Sequence, residues 1–579
     1  MAANKPAAGK PAEPAKKYLG FSKDDYPYLI GLGVIICLIA YIRANFLNTP
    51  FERDEGSYAY CGRIILDGAI PFKDIGSQRL PGVFYSYALM VAIFGYTLKS
   101  LHLGFIILNM ISALLIFLIG RRMLSNMAAI ACALCWALLS MNLAISGFTI
   151  QSEHIVALFL LTGIYFLLRF FDHKSMLMVI LSGFFFSLAF EVKQTSFFMG
   201  LFAGFILVGK QFFEKDRQWK TMILSAVYFI LAVIIPVAID LFIVWKRGGW
   251  EDFNYWFFDI RKEYTSVITF DQGIDYLKAY WPSIYGSYKF IWILSFIGPI
   301  ALLFTSVKPW IKISVIGFHL FGFFTVMPGN HYYGHYFLQW VPSVCIGAGS
   351  FFYALEEILR VRFGFKAFSR HIALVVLIIG SVANLNALKK YYFNSNSTQL
   401  LRQVYGLNPF PESKVIADKL NTMLKPEDKI AVFGNEIQMY FYTNKISPSR
   451  FAGSGSLLEF NIKKAEEWQN EFIHDVEKAE PRFLVFYSHA ISWCANPNVK
   501  NLIFPWFDKF SAEKYNLIGY ADMYDNTTNY VWAPDIDMVN NPPKSQYRIF
   551  VFEKRTAAPV PVAQPAPVPA GQPAAAPAN

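Results

Sequence analysis

Charge is scarce in this chain: Asp, Glu, Lys and Arg make up 16% of 579 residues, against 55% hydrophobic and 17% aromatic residues. So little charge beside so much apolar surface excludes an ordinary soluble domain and marks a polytopic membrane protein. Six cysteines are too few for a disulfide framework, and four of them, Cys37, Cys132, Cys135 and Cys345, lie inside apolar runs. Cys61 and Cys494 are left as the one pairing the sequence leaves open. Cys132 and Cys135 have C-x-x-C spacing but no further ligands, and read as small thiols inside a helix. No H-E-x-x-H spacing, P-loop or Rossmann fingerprint occurs in the membrane region, so a nucleotide site is not expected. No half of the chain repeats the other, which weighs against the repeat architecture of many transporters. A small-residue cleavage site after a short apolar run is also missing, so the first span is expected to stay as a signal anchor.

What is present is a series of apolar runs. Windows of about 20 residues give candidate spans near 27–46, 100–120, 127–147, 154–171, 176–192, 196–209, 221–245, 285–306, 311–328, 335–355 and 371–389, about eleven in all. The formal net charge of +11 does not form a continuous basic patch, so nucleic acid is not an expected partner. It sits in alternate connections: Arg121 and Arg122; Arg169 and Lys174; Lys210, Lys215, Arg217 and Lys220; Lys308 and Lys312; Arg360, Arg362, Lys366 and Arg370. With the N-terminal Lys5, Lys10, Lys16, Lys17 and Lys23, these face the cytoplasm by the positive-inside rule. The first loop (47–99), the loop at 246–284 and everything beyond 390 then lie outside.

Four segments follow. Residues 1–25 and 556–579 are Ala/Pro-rich tails expected to be disordered, and residues 26–394 form the transmembrane part. Residues 395–555 change character. "SKVIADKLNTML" has helical periodicity, and "KIAVFG", "RFLVFYS", "YNLIGYA" and "YRIFVFEK" read as strands. This predicts a small external α/β domain, large enough to bury its own core.

Polar residues gather at the external membrane boundary. In the first loop, "NTPFERDEGSYAYCGRIILDG" predicts an amphipathic helix over Asp54–Leu66 lying on the membrane interface. Asp54 is there either as an N-cap with Glu55 as a first-turn acid or as a carboxylate held at the bilayer surface for chemistry. Tyr58 lies on the same helix. Gln78 and Arg79 precede an aromatic-rich apolar helix, and Arg79 has a donor fork suited to phosphate oxygens or simply snorkels to headgroups. Glu153 and His154 begin one span and Lys193 ends another; charges at such positions face a cavity or a partner. His331, His335 and Tyr336 stand at a further external boundary, where tyrosines also form ordinary interfacial belts. Asp54 and Glu55 with Glu153 or His154 leave a divalent metal open; no other cofactor is expected.

The ordered motifs "ERDEGSYAY", "QRLPG", "QSEH", "EVKQ" and "GHYFLQWVP" resemble the membrane-embedded C-type (GT-C) glycosyltransferases that use polyprenyl-phosphate sugars. The branch is similar to protein O-mannosyltransferases and lipid A aminoarabinose transferases. The resemblance implies an all-α GT-C-like membrane bundle with interfacial helices in the first loop and a small external α/β domain. It implies Asp54 as catalytic carboxylate and Glu55 as the second half of the D-E motif. Arg79 would stand where Lys is common and hold lipid phosphate with Lys193, Glu153 would be the acid of the same site, and Tyr336 would match the tyrosine of a Tyr-x-x-Pro stretch. Leu80 and Gln339 depart from the family, which has proline at both positions. The implied reaction is inverting transfer of a sugar from a polyprenyl-phosphate donor to a hydroxyl of a glycan, lipid or protein acceptor. The implied location is the external face of a bacterial inner membrane. The alternative is a polytopic transporter or flippase of a lipid-linked or small polar substrate.

Overall fold

The computed structural model describes residues 22–365, 369–394, 396–459, 463–525 and 527–555. Residues 1–21 of the N-terminal tail, the whole C-terminal tail and Lys366 lie outside the described residues.

A helix occupies each of the eleven expected stretches: α1 (Tyr26–Ala44), then, after two helices of the first loop, α2 (Arg53–Leu66) and α3 (Gly82–Phe94), come α4 (Leu98–Met123), α5 (Asn126–Leu139), α6 (Ser152–His173), α7 (Met176–Val192), α8 (Phe197–Phe212) and α9 (Trp219–Lys246). Short α10 (Trp250–Asn254) and α11 (Arg261–Ser266) precede α12 (Phe270–Gly286), α13 (Lys289–Leu302), α14 (Pro309–Phe324), α15 (Val341–Arg362) and α16 (Ser369–Lys389). Among the described residues, six helices are long and apolar enough to cross a membrane, or seven if α12 and α13, bent by 103°, make one span. The other apolar helices, α3, α5, α7 and α14, are shorter, so a count of eleven full-length spans is not reproduced. Ile230, Ile234 and Phe242 stand exposed on α9, as expected of a face turned to lipid tails.

The C-terminal part is a five-stranded mixed sheet, β1 (Ile430–Phe433), β2 (Phe483–Ser488), β3 (Tyr515–Met523), β4 (Thr528–Trp532) and β5 (Arg548–Lys554), in the order β1-β2-β5-β3-β4. Only β1 and β2 pair in parallel. β1 and β2 are buried along their whole length, which explains their uninterrupted apolar sequence. β4, half-exposed, has no such run and was not expected from the sequence.

Two expectations for the first loop change. α2 begins one residue earlier than predicted, and its cap is Glu52: that carboxylate accepts the amides of Asp54 and Glu55 at 3.0 and 2.8 Å, while Glu55 Oε2 accepts the Glu52 amide at 3.2 Å. Asp54 is therefore not the cap. Nor does α2 lie as an amphipathic helix on the interface, because Glu55, Gly56, Tyr58, Ala59, Tyr60, Cys61, Gly62 and Ile64 are all buried. Two glycines allow this. A Cβ on Gly62 would stand 2.7 Å from the Ala88 nitrogen of α3, and one on Gly56 would stand 2.3 Å from Gln438 Cβ in the C-terminal domain. The contact with that domain continues through Arg53, which pairs with buried Glu436 at 2.8 Å and reaches Asn408 at 3.2 Å. Tyr442 holds the other side: its hydroxyl accepts the Phe51 amide at 2.6 Å while its ring stacks on Phe51. Cys61 and Cys494 are both free thiols.

Gly56→Ala should therefore loosen the docking of the C-terminal domain, at about 1–3 kcal/mol for an overpacked contact. Gly33→Ala in α1, where an added Cβ meets nothing within 4 Å, should be neutral. Protease sensitivity of residues 395–555 in purified, detergent-solubilised protein checks this; equal sensitivity of the two variants would refute it.

Candidate active site

The site lies where the ends of four apolar helices meet the start of α2. Glu153 stands in the first turn of α6, where the positive end of the helix dipole favours an acid. Lys193 stands in the break between α7 and the turn leading into α8. Its extended backbone, φ −152° and ψ 116°, ends α7 and frees the side chain to turn inward. Its ammonium pairs with Glu153 and lies 3.5 Å from the centre of the Tyr336 ring. Tyr336 comes from a 3₁₀ turn, Gly334–Gln339, seated close against the segment before α6: a Cβ on Gly334 would stand 2.2 Å from the Ala144 carbonyl oxygen.

Arg79 joins the two halves. Its Nη2 reaches Asp54 Oδ2 at 3.3 Å and its Nη1 reaches Ser152 Oγ at 3.4 Å, and Ser152 in turn donates to Glu153 Oε2 at 3.0 Å. Asp54 Oδ2 also accepts the Tyr58 hydroxyl at 3.0 Å. Burial raises the Tyr58 pKa well above normal, so the phenol remains a donor. A continuous chain thus runs Tyr58–Asp54–Arg79–Ser152–Glu153–Lys193–Tyr336. Side-chain exposure in it is 38% for Asp54 and 24% for Arg79, against 1% for Glu153 and 11% for Lys193. Asp54 is the most accessible of these four. It opens on a cavity of about 230 Å³ also lined by Gln78, Arg79, Trp256, Asn435 and Glu459.

The remaining expected residues take other places. Glu55 is fully buried away from this cavity, accepting the Ile150 amide at 2.5 Å beside His102 Nε2 at 3.4 Å. His154 bonds the Ser140 carbonyl at 3.1 Å and packs on Phe105. There it joins Arg43, which bonds Ser140 and Gly147 carbonyls at 2.8 and 3.0 Å and so holds the segment leading into α6. His331 stacks on Tyr264, whose hydroxyl meets that of Tyr336 at 3.0 Å. His335 packs edge-on to Tyr336, and burial lowers its pKa, keeping it neutral. Gln78 uses its backbone carbonyl to accept Arg261 at 2.5 Å and turns its amide oxygen, without a partner, into a sealed position.

Two residues of this neighbourhood were not singled out from the sequence. Glu52, the cap, is buried beside Asp54 and Glu55, and burial first, then those two charges, push its pKa well up. Arg261 reaches Gln78 and, at 2.8 Å, Gln194 next to Lys193, and leaves its Nε unpartnered. Burial and then Arg79 lower its pKa to about 10. The only signal for it was a basic residue in the external loop at 246–284.

The donor set does not fit a divalent metal. Among the described residues no three His, Cys, Asp or Glu side chains are grouped for one; Asp54 Oδ2 is taken by Arg79 and Tyr58, and both Glu153 oxygens by Lys193 and Ser152. A larger cavity, about 1880 Å³, opens elsewhere in the bundle among Arg121, Lys210, Lys308 and Arg370. Three of these cations already have acids, Arg121 with Asp25 at 3.0 Å, Lys210 with Glu214 at 2.8 Å and Arg370 with Glu356 at 3.0 Å.

Known proteins fall in line with this architecture. Among solved structures the chain is similar to ArnT from Cupriavidus metallidurans in the apo state, with a TM-score of 0.56 and 12% identity over 92% of this chain and 98% of that one. The same protein bound to undecaprenyl phosphate gives 0.53 and 13% over 91% and 98%. Archaeal oligosaccharyltransferase AglB from Archaeoglobus fulgidus, in complex with an inhibitory peptide and a dolichol-phosphate, gives 0.46 and 12% over 89% and 75%. No curated protein matches the sequence. The chain shares the fold of ArnT, and six helices among its described residues are long and apolar enough to cross a membrane. Within the chain, residues 78–239 match the family described as dolichyl-phosphate-mannose-protein mannosyltransferase, the segment that carries Arg79, Glu153 and Lys193.

Removing the cap and removing the open carboxylate should part company. Glu52→Ala should destabilise the protein by about 1 kcal/mol, the usual loss of an N-cap, whereas Asp54→Asn should leave the thermal midpoint nearly unchanged because the α2 cap lies elsewhere. Midpoints measured in detergent test this; an equal loss from both would contradict the separation.

Proposed function

We propose that the protein transfers a sugar from a polyprenyl-phosphate donor to a hydroxyl acceptor on the external face of the membrane, inverting the anomeric centre. One observation carries this reading: Arg79 binds the accessible carboxylate Asp54 with one nitrogen and leads with the other to the buried Glu153–Lys193 pair, all at the ends of apolar helices. Arg79, Lys193 and Arg261 form a group of cations near the ends of apolar helices, and guanidinium and ammonium groups match the phosphate oxygens of a lipid carrier. The undecaprenyl phosphate bound by ArnT and the family description over residues 78–239 support that class of donor.

The chemistry follows. A sugar phosphodiester leaves as a stabilised anion, so no acid is needed to protonate the leaving oxygen. Asp54 takes the proton of the acceptor hydroxyl as its oxygen attacks the anomeric carbon. The carbon–oxygen bond to phosphate breaks, and its electron pair stays on the phosphate, where Arg79 and Lys193 meet the growing charge. Attack from the side opposite the phosphate inverts the centre. Glu153 holds Lys193 in place, and Tyr58 and Arg79 fix the Asp54 carboxylate, leaving Oδ1 toward the cavity. Glu55 is assigned a supporting role, organising the start of α2 and the approach to α6. The external location rests on the basic connections between the other helix ends.

Asp54→Asn keeps the shape but cannot take the proton, so turnover should fall roughly 10²–10⁴-fold while lipid-phosphate binding persists. Near-wild-type sugar transfer from a polyprenyl-phosphate donor would sink the assignment. Lys193→Ala and Arg79→Ala should both raise the donor concentration required and slow turnover, with Arg79→Lys milder. Changes confined to acceptor saturation would contradict the phosphate role.

A further inference from the structure

Three segments line the cavity in front of Asp54: the first loop, Trp256 and Ile260 of the loop at 246–284, and the C-terminal domain, which contributes Asn435, Ile437, Arg450, Gly453, Ser456 and Glu459. Glu459 ends the short helix Ser456–Glu459. Among the described residues its carboxylate has neither hydrogen bond nor ion pair, and yet burial pushes its pKa up to about 7. The nearby cation Arg53 is already committed to Glu436 at 2.8 Å and Asn408 at 3.2 Å. A half-buried acid without a partner is costly unless a ligand supplies one.

The rest of the lining shows what kind of ligand. The cations facing the cavity are spent: Arg79 on Asp54 and Ser152, and Arg450 on Asp252 and Glu471, each at 2.7 Å. Among the described residues the open groups on the lining are the Glu459 carboxylate and the second Asp54 oxygen; the sealed polar atoms without partners, the Gln78 amide oxygen and the Trp256 indole nitrogen, are one acceptor and one donor. Two open carboxylates suit a group rich in hydroxyls. At about 230 Å³ the cavity holds a group the size of one sugar ring.

We infer that Glu459 is a specificity-determining residue whose carboxylate accepts hydrogen bonds from the hydroxyls of a single sugar unit held between the C-terminal domain and Asp54. This rests on the transferase reading above. The sugar comes either from the donor or from a glycan acceptor, and the two sources share this chemistry.

Binding to the full-length protein in detergent separates them. The probes are undecaprenyl phosphate, its mannosyl, glucosyl and aminosugar esters, and the methyl glycosides of the same sugars offered at saturating undecaprenyl phosphate. Glu459→Gln should weaken at least one sugar-bearing probe about tenfold, the scale of a lost hydrogen bond to a charged group, and leave bare undecaprenyl phosphate unaffected. Loss confined to the lipid-linked sugars assigns the donor sugar; loss confined to the methyl glycosides assigns the acceptor. Glu459→Asp, which keeps the charge, should recover part of the loss. Because the Glu459 carboxylate holds no hydrogen bond or ion pair among the described residues, neither variant should melt below the wild type. Equal binding of every sugar probe by wild type and Glu459→Gln, or no sugar binding by the wild type, overturns the inference. Failure of the wild type to bind undecaprenyl phosphate itself would instead overturn the transferase reading.

Discussion

Arg79 grips Asp54 with one nitrogen and Ser152 with the other, and much of the architecture is arranged to make that double contact available. A guanidinium at the end of an apolar bundle needs acceptors in a fixed plane. One acceptor comes from a loop helix and the other from the first turn of α6, so the two elements must be held at fixed separation. The Glu52 cap fixes the first. Arg43, through the carbonyls of Ser140 and Gly147, fixes the segment that enters the second. Glu55 ties them, because its carboxylate receives both the Glu52 amide at the start of α2 and the Ile150 amide just ahead of α6.

The electrostatic economy of the site is consistent with this. Buried ion pairs contribute little net stability, since desolvation consumes much of the attraction. A chain of alternating acid and base, from Asp54 through Arg79 and Glu153 to Lys193, keeps each charge compensated while leaving the outermost carboxylate open. An incoming anion can then exchange places with protein carboxylates around cations that are already in position, so little reorganisation is required when charge develops.

The sequence made much of this legible, for identifiable reasons. Apolar runs of helical length disclosed the bundle, and uninterrupted apolar runs disclosed β1, β2 and β5, because burial on both faces leaves no other composition. Asp54, Arg79, Glu153, Lys193 and Tyr336 stood out as polar residues at the boundaries of apolar segments, and the fold brings them together. Others could not be read. The sequence does not show that α2 is buried on both sides, since this depends on Gly56 and Gly62 admitting neighbours hundreds and tens of residues away. Composition favours Asp54 as the cap, and only the backbone puts Glu52 there. His154 looked like a site residue through adjacency to Glu153, but neighbouring residues on a helix face different directions, and it turned to Arg43's side. Arg261 and Glu459 had no local motif, because each acquires its surroundings only by tertiary packing.

The seating of Gln438 on Gly56, with the Arg53–Glu436 pair beside it, has a consequence for biosynthesis. Asp54, Arg79 and Lys193 all emerge within the first third of the chain, whereas the wall that faces them begins at Asn435. During chain elongation the reactive groups therefore leave the ribosome before the residues that close the chamber over them, and the chamber is complete only once the C-terminal domain has docked on α2.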